Sequence, residues 1–266
     1  MALALPQQTL NEENRVYHAL LEKLFGRRRT ERVKAPDMPS NPSADALMRA
    51  IERQRSSDPL IGAKLGGKEV FQQLLSGLKN ERGVHVESLL CALGALAGYA
   101  CQAKLRAQAS AKGLDESAAL LAVSSPDGKT YYFGDLLNQD LAESKYSIWS
   151  LAAGAAQHHG CKTLPDLNGI FAHVSKTIGT DAFGVPRLPD GHNTGDLPIN
   201  YLKALWPVFF PLAKRYCKDP IEWPLLFGAA IQEALAAAKQ AISQELALQI
   251  IMESAVPMSK VDLARC

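Results

Sequence analysis

Residues 88–103, Ser-Leu-Leu-Cys-Ala-Leu-Gly-Ala-Leu-Ala-Gly-Tyr-Ala-Cys-Gln-Ala, carry no charge and are built mostly from small side chains. A helix that is apolar on every face has to be buried on every face, so this run sets the centre of the fold. Cys91, Gly94, Gly98, Cys101 and Leu105 recur at alternating spacings of three and four and therefore share one helix face. Glycine inside a helix costs about 0.5–1 kcal/mol relative to alanine, and the usual compensation is close approach of a second backbone. Leu89, Leu90, Leu93 and Leu96 form a core stripe on the opposite face. A membrane span needs roughly twenty apolar residues. This run stops at Lys104 and Arg106, so the Gly94–Gly98 step reads as soluble core rather than as a membrane helix pair.

Two further segments have the same texture, Ile148–Ala156 and Leu225–Ala230, and are the expected partners of the central helix at short interaxial distance. Each apolar run ends in polar groups: Gln102 after the first, Gln157 and His158 after the second, Gln232 after the third. Three helices that each end a dry stretch with an amide can line a polar pocket. The plainer reading is that each glutamine marks where its helix reaches solvent, since glutamine is mostly exposed in folded proteins.

A chain of 266 residues fits one large domain or a domain with an appendage. A net charge of +2 is too small to argue for nucleic acid or an anionic membrane surface. Five cysteines, Cys91, Cys101, Cys161, Cys217 and Cys266, form no Cys-x-x-Cys pair, which points to reduced thiols. Cys91 and Cys101 lie about 15 Å apart along one helix, beyond disulfide reach. The start, Met-Ala-Leu-Ala-Leu-Pro, lacks the basic and long apolar stretches of a secretory signal, and a cytoplasmic location is expected.

The chain divides into an N-terminal helical arm with a Pro/Ser-rich linker, 1–58, and a main helical domain, 59–266. In the arm, Thr9 with Glu12 makes a capping box ahead of Val16, Leu20, Leu21 and Leu24. Arg27–Arg29 and a linker over 35–43 follow. In the main domain Val70, Phe71, Leu74, Leu75 and Leu78 mark one helix, and the central helix spans about 84–107. Residues 120–133 read as one small β-hairpin around Pro126-Asp127-Gly128. Asp135–Leu141 and Ile148–His158 are helical, and Thr163 caps a helix ending at Gly179. Pro207 and Pro211 are expected to kink or break an aromatic-rich helix. Asp219-Pro220-Ile221-Glu222 starts a long helix whose stripe runs from Ile231 to Ile250, with Pro257 beyond its end.

Several motifs fail as chemistry. Gly62-Ala-Lys-Leu-Gly-Gly-Lys68-Glu69 nearly fits a phosphate-binding loop, but Glu69 stands where a magnesium-holding hydroxyl is needed. It reads instead as a glycine-rich turn into a helix. In the stretch from Asp190 a calcium loop would need acidic oxygens where His192 and Tyr201 stand. Adjacent His158 and His159 point in different directions on a helix and lack paired zinc-ligand spacing, so no metal site is expected.

What remains is the segment Gly179–Leu197, which shows no periodicity and is dense in Arg187, Asp190, His192, Asn193 and Asp196. Long structureless connections in compact domains tend to be functional or disordered. The fold expected is all-α, a multi-helix array around the buried central helix with one small hairpin. The first functional reading is a soluble binding or interaction protein, supported by Trp206-Pro-Val-Phe-Phe-Pro211 as an apolar contact surface. The alternative is an enzyme with a pocket between Gln102, Gln157, His158 and Gln232 and the 179–197 loop. There His158 or His192 acts as acid or base, because imidazole titrates near neutral pH. No cofactor, nucleic acid or membrane is called for; a homodimer or other homo-oligomer and a small-molecule ligand are the partners left open.

Overall fold

The computed structural model describes residues 42–125 and 128–263. The arm before residue 42, with its capping box and arginine cluster, lies outside them, as do Pro126, Asp127 and Cys266. In chain order the elements are α1 (Pro42–Gln54), α2 (Ile61–Leu78), β1 (Lys79–Asn80), β2 (Gly83–Val84) and α3 (Val86–Ala111). The middle of the chain holds β3 (Leu121–Ser124), β4 (Thr130–Phe133), α4 (Asp135–Asn138), α5 (Ile148–His158) and α6 (Leu167–Thr177). The last third holds α7 (Pro198–Tyr216), α8 (Trp223–Ala238) and α9 (Gln244–Met258). The fold is thus a helical array with small antiparallel hairpins; β1 and β2, a two-residue pair, escaped the sequence reading because so short a ladder has no period.

Every residue of α3 from Ser88 to Gln102 is buried. Among the described residues α3 is the one helix long and apolar enough to cross a membrane, but most of its apolar window is covered by other helices of the same chain. Those helices are α9, α8 and α7, with α2 packed outside on α8. The glycine face meets α9: a Cβ on Gly94 would collide with the Ile251 carbonyl oxygen, and one on Gly98 with that of Ala255. Two backbones touch there, which is what two glycines a turn apart permit. The partner at the glycines is therefore α9. The small segment Leu225–Ala230 lies in α8, whose Gly228 instead faces Leu151 of α5.

Four expectations need correction. Gly62, Gly66 and Gly67 are not in a turn but inside α2, where Gly67 faces the Leu226 carbonyl oxygen and the Ala230 amide of α8. The cap of α6 is Asp166, which accepts from the Gly169 amide at 3.0 Å, rather than Thr163. Pro207 and Pro211 do not break α7. They share an exposed stripe with Lys203, so the carbonyls they leave unbonded face water. The last helical stretch is two helices, because Ser243 caps a new one by accepting from Leu246, and Pro257 sits in its final turn. The apolar period misled because Ile242 and Leu246, on either side of the cap, are both buried.

The aromatic segment of α7 is interior. Trp206 and Phe209 are buried, and Phe210 stacks on Trp206 at 4.7 Å and meets Trp223 edge-on at 4.9 Å. Of the apolar contact surface expected there, the half-buried Phe210 and the exposed Pro207 and Pro211 remain.

Candidate functional site

The connection from α6 to α7, residues 179–197, is held by side chains of three helices. Near its start Gly184 takes a positive φ of 74° and approaches the C-terminal end of α9, where Met258 lies 3.2 Å from a Cβ placed on the glycine. Arg187 then reaches α9, with Nε 2.9 Å from Glu253 Oε1 and Nη2 2.7 Å from the same oxygen. Gln249, one turn earlier on α9, donates to the Arg187 carbonyl at 2.7 Å. Farther on, His192 Nδ1 lies 3.0 Å from Glu87 Oε1 in the first turn of α3. Next, the Thr194 carbonyl accepts from Ser88 Oγ of α3 and from Tyr201 of α7, both at 2.8 Å. Burial pushes the Tyr201 phenol up, so it stays protonated and donates.

Glu87 links two imidazoles, since His85 Nε2 also lies 3.4 Å from its Oε2. Burial alone would raise the Glu87 carboxyl. The His192 hydrogen bond, its own backbone N–H and the nearby His85 and His192 charges outweigh that and hold it below the usual carboxylate range. Ser88, His85 and Glu87 have the contacts of a nucleophile, base and orienting acid, with Ser88 Oγ 2.8 Å from His85 Nδ1. The serine proton, however, goes to the Thr194 carbonyl, so His85 donates to Oγ instead of accepting from it. Gly195 also covers the hydroxyl: a Cβ there would stand 2.7 Å from Ser88 Oγ. Ser88 pins the loop.

Two cavities flank this loop. The first, about 440 Å³, is lined by Val185, Pro186, Leu188 and the run His192–Leu197. The second, about 360 Å³, lies between the loop, the start of α6 and α9, with Asp166, Arg187, Glu245, Gln249 and Glu253 as its polar lining. Glu253 is 2% exposed. Its Oε1 is taken by Arg187, and its Oε2 has no hydrogen-bond partner among the described residues. Pro165, Gly169 and Ile170 complete the wall beside Asp166, whose Oδ1 is committed to the α6 cap.

The structure divides the candidates read from the sequence. His192, Asn193 and Asp196 line the first cavity and Arg187 the second, while Asp190 is exposed and lines neither. Gln102, Gln157, His158 and Gln232 line neither cavity. Gln102 is fully buried, and its Nε2 donates to the carbonyls of Ser259 at 2.9 Å and Val261 at 3.1 Å, just past α9. Gln232 is exposed and donates to the Leu151 carbonyl at 3.3 Å, tying α8 to α5. Gln157 and His158 are exposed at the end of α5, where His158 packs on the His159 ring at 5.0 Å. Among the described residues no group of three or more His, Cys, Asp or Glu side chains is placed to hold a metal ion.

Asp166, Glu245, Gln249 and Glu253 were missed by the sequence reading. One signal was available for Glu253: it is the lone charge in Leu246-Ala-Leu-Gln-Ile-Ile-Met-Glu-Ser-Ala-Val256, a run otherwise suited to the core. A carboxylate is rarely buried without a partner, so such a position asks for a cation. No protein-family model, no curated protein and no solved structure matches this chain.

Proposed function

We propose that the protein is a soluble, cytoplasmic binding protein that takes a small molecule beside the 179–197 loop, in the cavity walled by α6 and α9. The observation that carries this reading is the Glu253 carboxylate, 2% exposed, with one oxygen held by Arg187 and the other unpartnered among the described residues, on a cavity wall. Burying a charge is costly unless it is paired, and a half-paired carboxylate beside open space is suited to a ligand that completes the pairing. The loop supplies Arg187, so loop position and ligand occupancy are coupled through one ion pair.

A second reading, an enzyme using His192 as acid or base, draws support from His192 on the first cavity with Glu87 behind it at 3.0 Å. A carboxylate that orients an imidazole is a common device in proton transfer.

One titration separates the two readings. Isotope-labelled protein is titrated with acetate, putrescine, glycine and glucose in turn, one each of anion, cation, zwitterion and neutral, while backbone amide signals are followed. The binding reading expects saturable shifts at Gly169, Arg187 and Gln249 with at least one compound. Shifts confined to His192–Asp196 transfer support to the enzyme reading. If no amide lining either cavity responds to any of the four, the binding reading is wrong.

A further inference from the structure

We infer that the cavity between α6, α9 and the loop is specific for an aliphatic polyamine, an organic cation with ammonium groups at both ends; this rests on the binding reading above and adds the ligand's class. Three carboxylates, Asp166, Glu245 and Glu253, face one guanidinium, Arg187, in its lining. That guanidinium is already engaged by Glu253 Oε1 and the Gly169 carbonyl. Apart from the Nη1 end of Arg187, the groups left over are acceptors: Glu253 Oε2, the Glu245 carboxylate, and the Gln249 side-chain oxygen, whose amide nitrogen is spent on Arg187. A ligand carboxylate or phosphate would enter against three like charges, and the one cation in the lining, Arg187, is already paired with Glu253. A ligand rich in N–H donors meets every one of those acceptors.

The arrangement also gives the ligand a shape. Glu245, Gln249 and Glu253 stand at i, i+4 and i+8 on α9, one stripe along the cavity wall. Eight residues of helix place the two carboxylates about 12 Å apart along the axis, with the neutral amide midway. Charge at both ends and a neutral acceptor between them matches a chain with terminal ammonium groups better than a compact single cation. The deep end is Glu253, where burial strengthens the contact; the shallow end is the exposed Glu245.

The test is isothermal titration calorimetry on the full-length protein at low ionic strength, with putrescine and spermidine as titrants and acetate as the control. Wild type is expected to give one saturable site for the amines and none for acetate. Glu253→Gln keeps the shape and removes the charge, and is expected to weaken amine binding by at least about tenfold. Because it also unpairs Arg187, Glu245→Gln serves as the second variant: Glu245 is exposed with no ion-pair partner among the described residues, so the fold is unaffected while binding weakens. Glu233→Gln, an exposed site on α8, changes net charge equally and is expected to bind as wild type does. Absence of amine binding to wild type overturns the inference, and so does equal weakening in all three variants, which would mean diffuse attraction to net charge. If acetate, glycine or glucose shifts the lining amides while neither putrescine nor spermidine binds, the ligand class is wrong and the binding reading stands. If none of the four does and spermidine does not bind either, both fall.

Discussion

The α3–α9 seam and the 179–197 loop solve the same problem, holding distant chain segments together, by opposite means. At the seam small residues remove side chain until two backbones meet, with Gly94 and Gly98 against Ile251 and Ala255. At the loop, long polar side chains reach across to helices 66 to 106 residues away in sequence, Arg187 to Glu253, Ser88 to Thr194 and Glu87 to His192. The seam is dry and depends on what is absent from each position. The loop depends on particular partners being present. A steric seam tolerates no added volume, whereas a set of polar ties can be loosened one at a time, which suits the ligand-responsive role proposed for the loop.

Adding one methyl group at the seam gives the largest effect. Gly98→Ala gains about 0.5–1 kcal/mol of helix propensity but forces the new carbon into the Ala255 carbonyl, a backbone atom that has nowhere to go. Overpacking of this kind costs about 1–3 kcal/mol and more against backbone, so a net loss of about 3 kcal/mol is expected in denaturant unfolding. A neutral or stabilised variant would show that the two helices do not touch at Gly98.

The same contrast explains what could be read from the chain alone. Small residues at spacings of three and four announce a close helix contact, and the burial of α3 follows from its lack of charge; both are local patterns. The pattern did not name the partner, because α5, α8 and α9 all present small apolar stretches. The site was half legible. Arg187, His192, Asn193 and Asp196 were picked out by their density in an aperiodic segment. Glu253 and Glu87 belong to helices, and nothing within a few residues of either says that a loop will cover it. Gln102 misled for a related reason: it ends its dry run against the Ser259 and Val261 carbonyls instead of at solvent, where Gln157 and Gln232 do lie.

Next in size is Lys260, which lies beside the end of the seam. It is 3% exposed, donates to Asn138 Oδ1 at 3.2 Å and lies over the Phe133 ring at 5.2 Å, and it pairs with no carboxylate among the described residues. Burial lowers it to about 8, an effect the Cys101 interaction opposes only in part. An unfolded lysine holds its proton to about pH 10.4, so between these values the unfolded chain binds more protons than the folded one and stability rises with pH. The charged amine therefore costs on the order of 3 kcal/mol below pH 8, and the cost is relieved as the amine deprotonates. Lys260→Met is expected to lack this rise, so that its stability advantage over wild type shrinks from about pH 7 to about pH 10. A constant difference between the two proteins across that range would show that Lys260 is hydrated.

At the loop, Arg187→Ala leaves Glu253 buried without its cation. The arginine is 45% exposed at its side chain, so solvent recovers part of the loss, and about 2 kcal/mol of destabilisation is expected. Amide hydrogen exchange gives the sharper readout: protection should fall across the loop and the start of α6 while the seam amides of α3 stay protected. Equal loss of protection in both regions would mean that loop and seam unfold as one unit and that the contrast between them does not extend to dynamics.

The smallest effect is expected at His192. Its pair with Glu87 is 36% exposed on the histidine side and is worth about 0.5 kcal/mol. The pH profile identifies it. Glu87 is held below its ordinary value in the folded protein, so its contribution is present above the unfolded carboxylate value near 4.3 and is lost as pH falls through the lowered folded value. His192→Ala removes the main hydrogen bond that opposes burial, moves Glu87 back up, and takes away part of that contribution. The two proteins should therefore differ in unfolding free energy at about pH 6 and converge at acid pH below the lowered folded value, once Glu87 is protonated in both. A difference that persists at the acid end would make the histidine a packing contact rather than an ionic one. The loop would then be fastened to α3 by Ser88 and Thr194 alone.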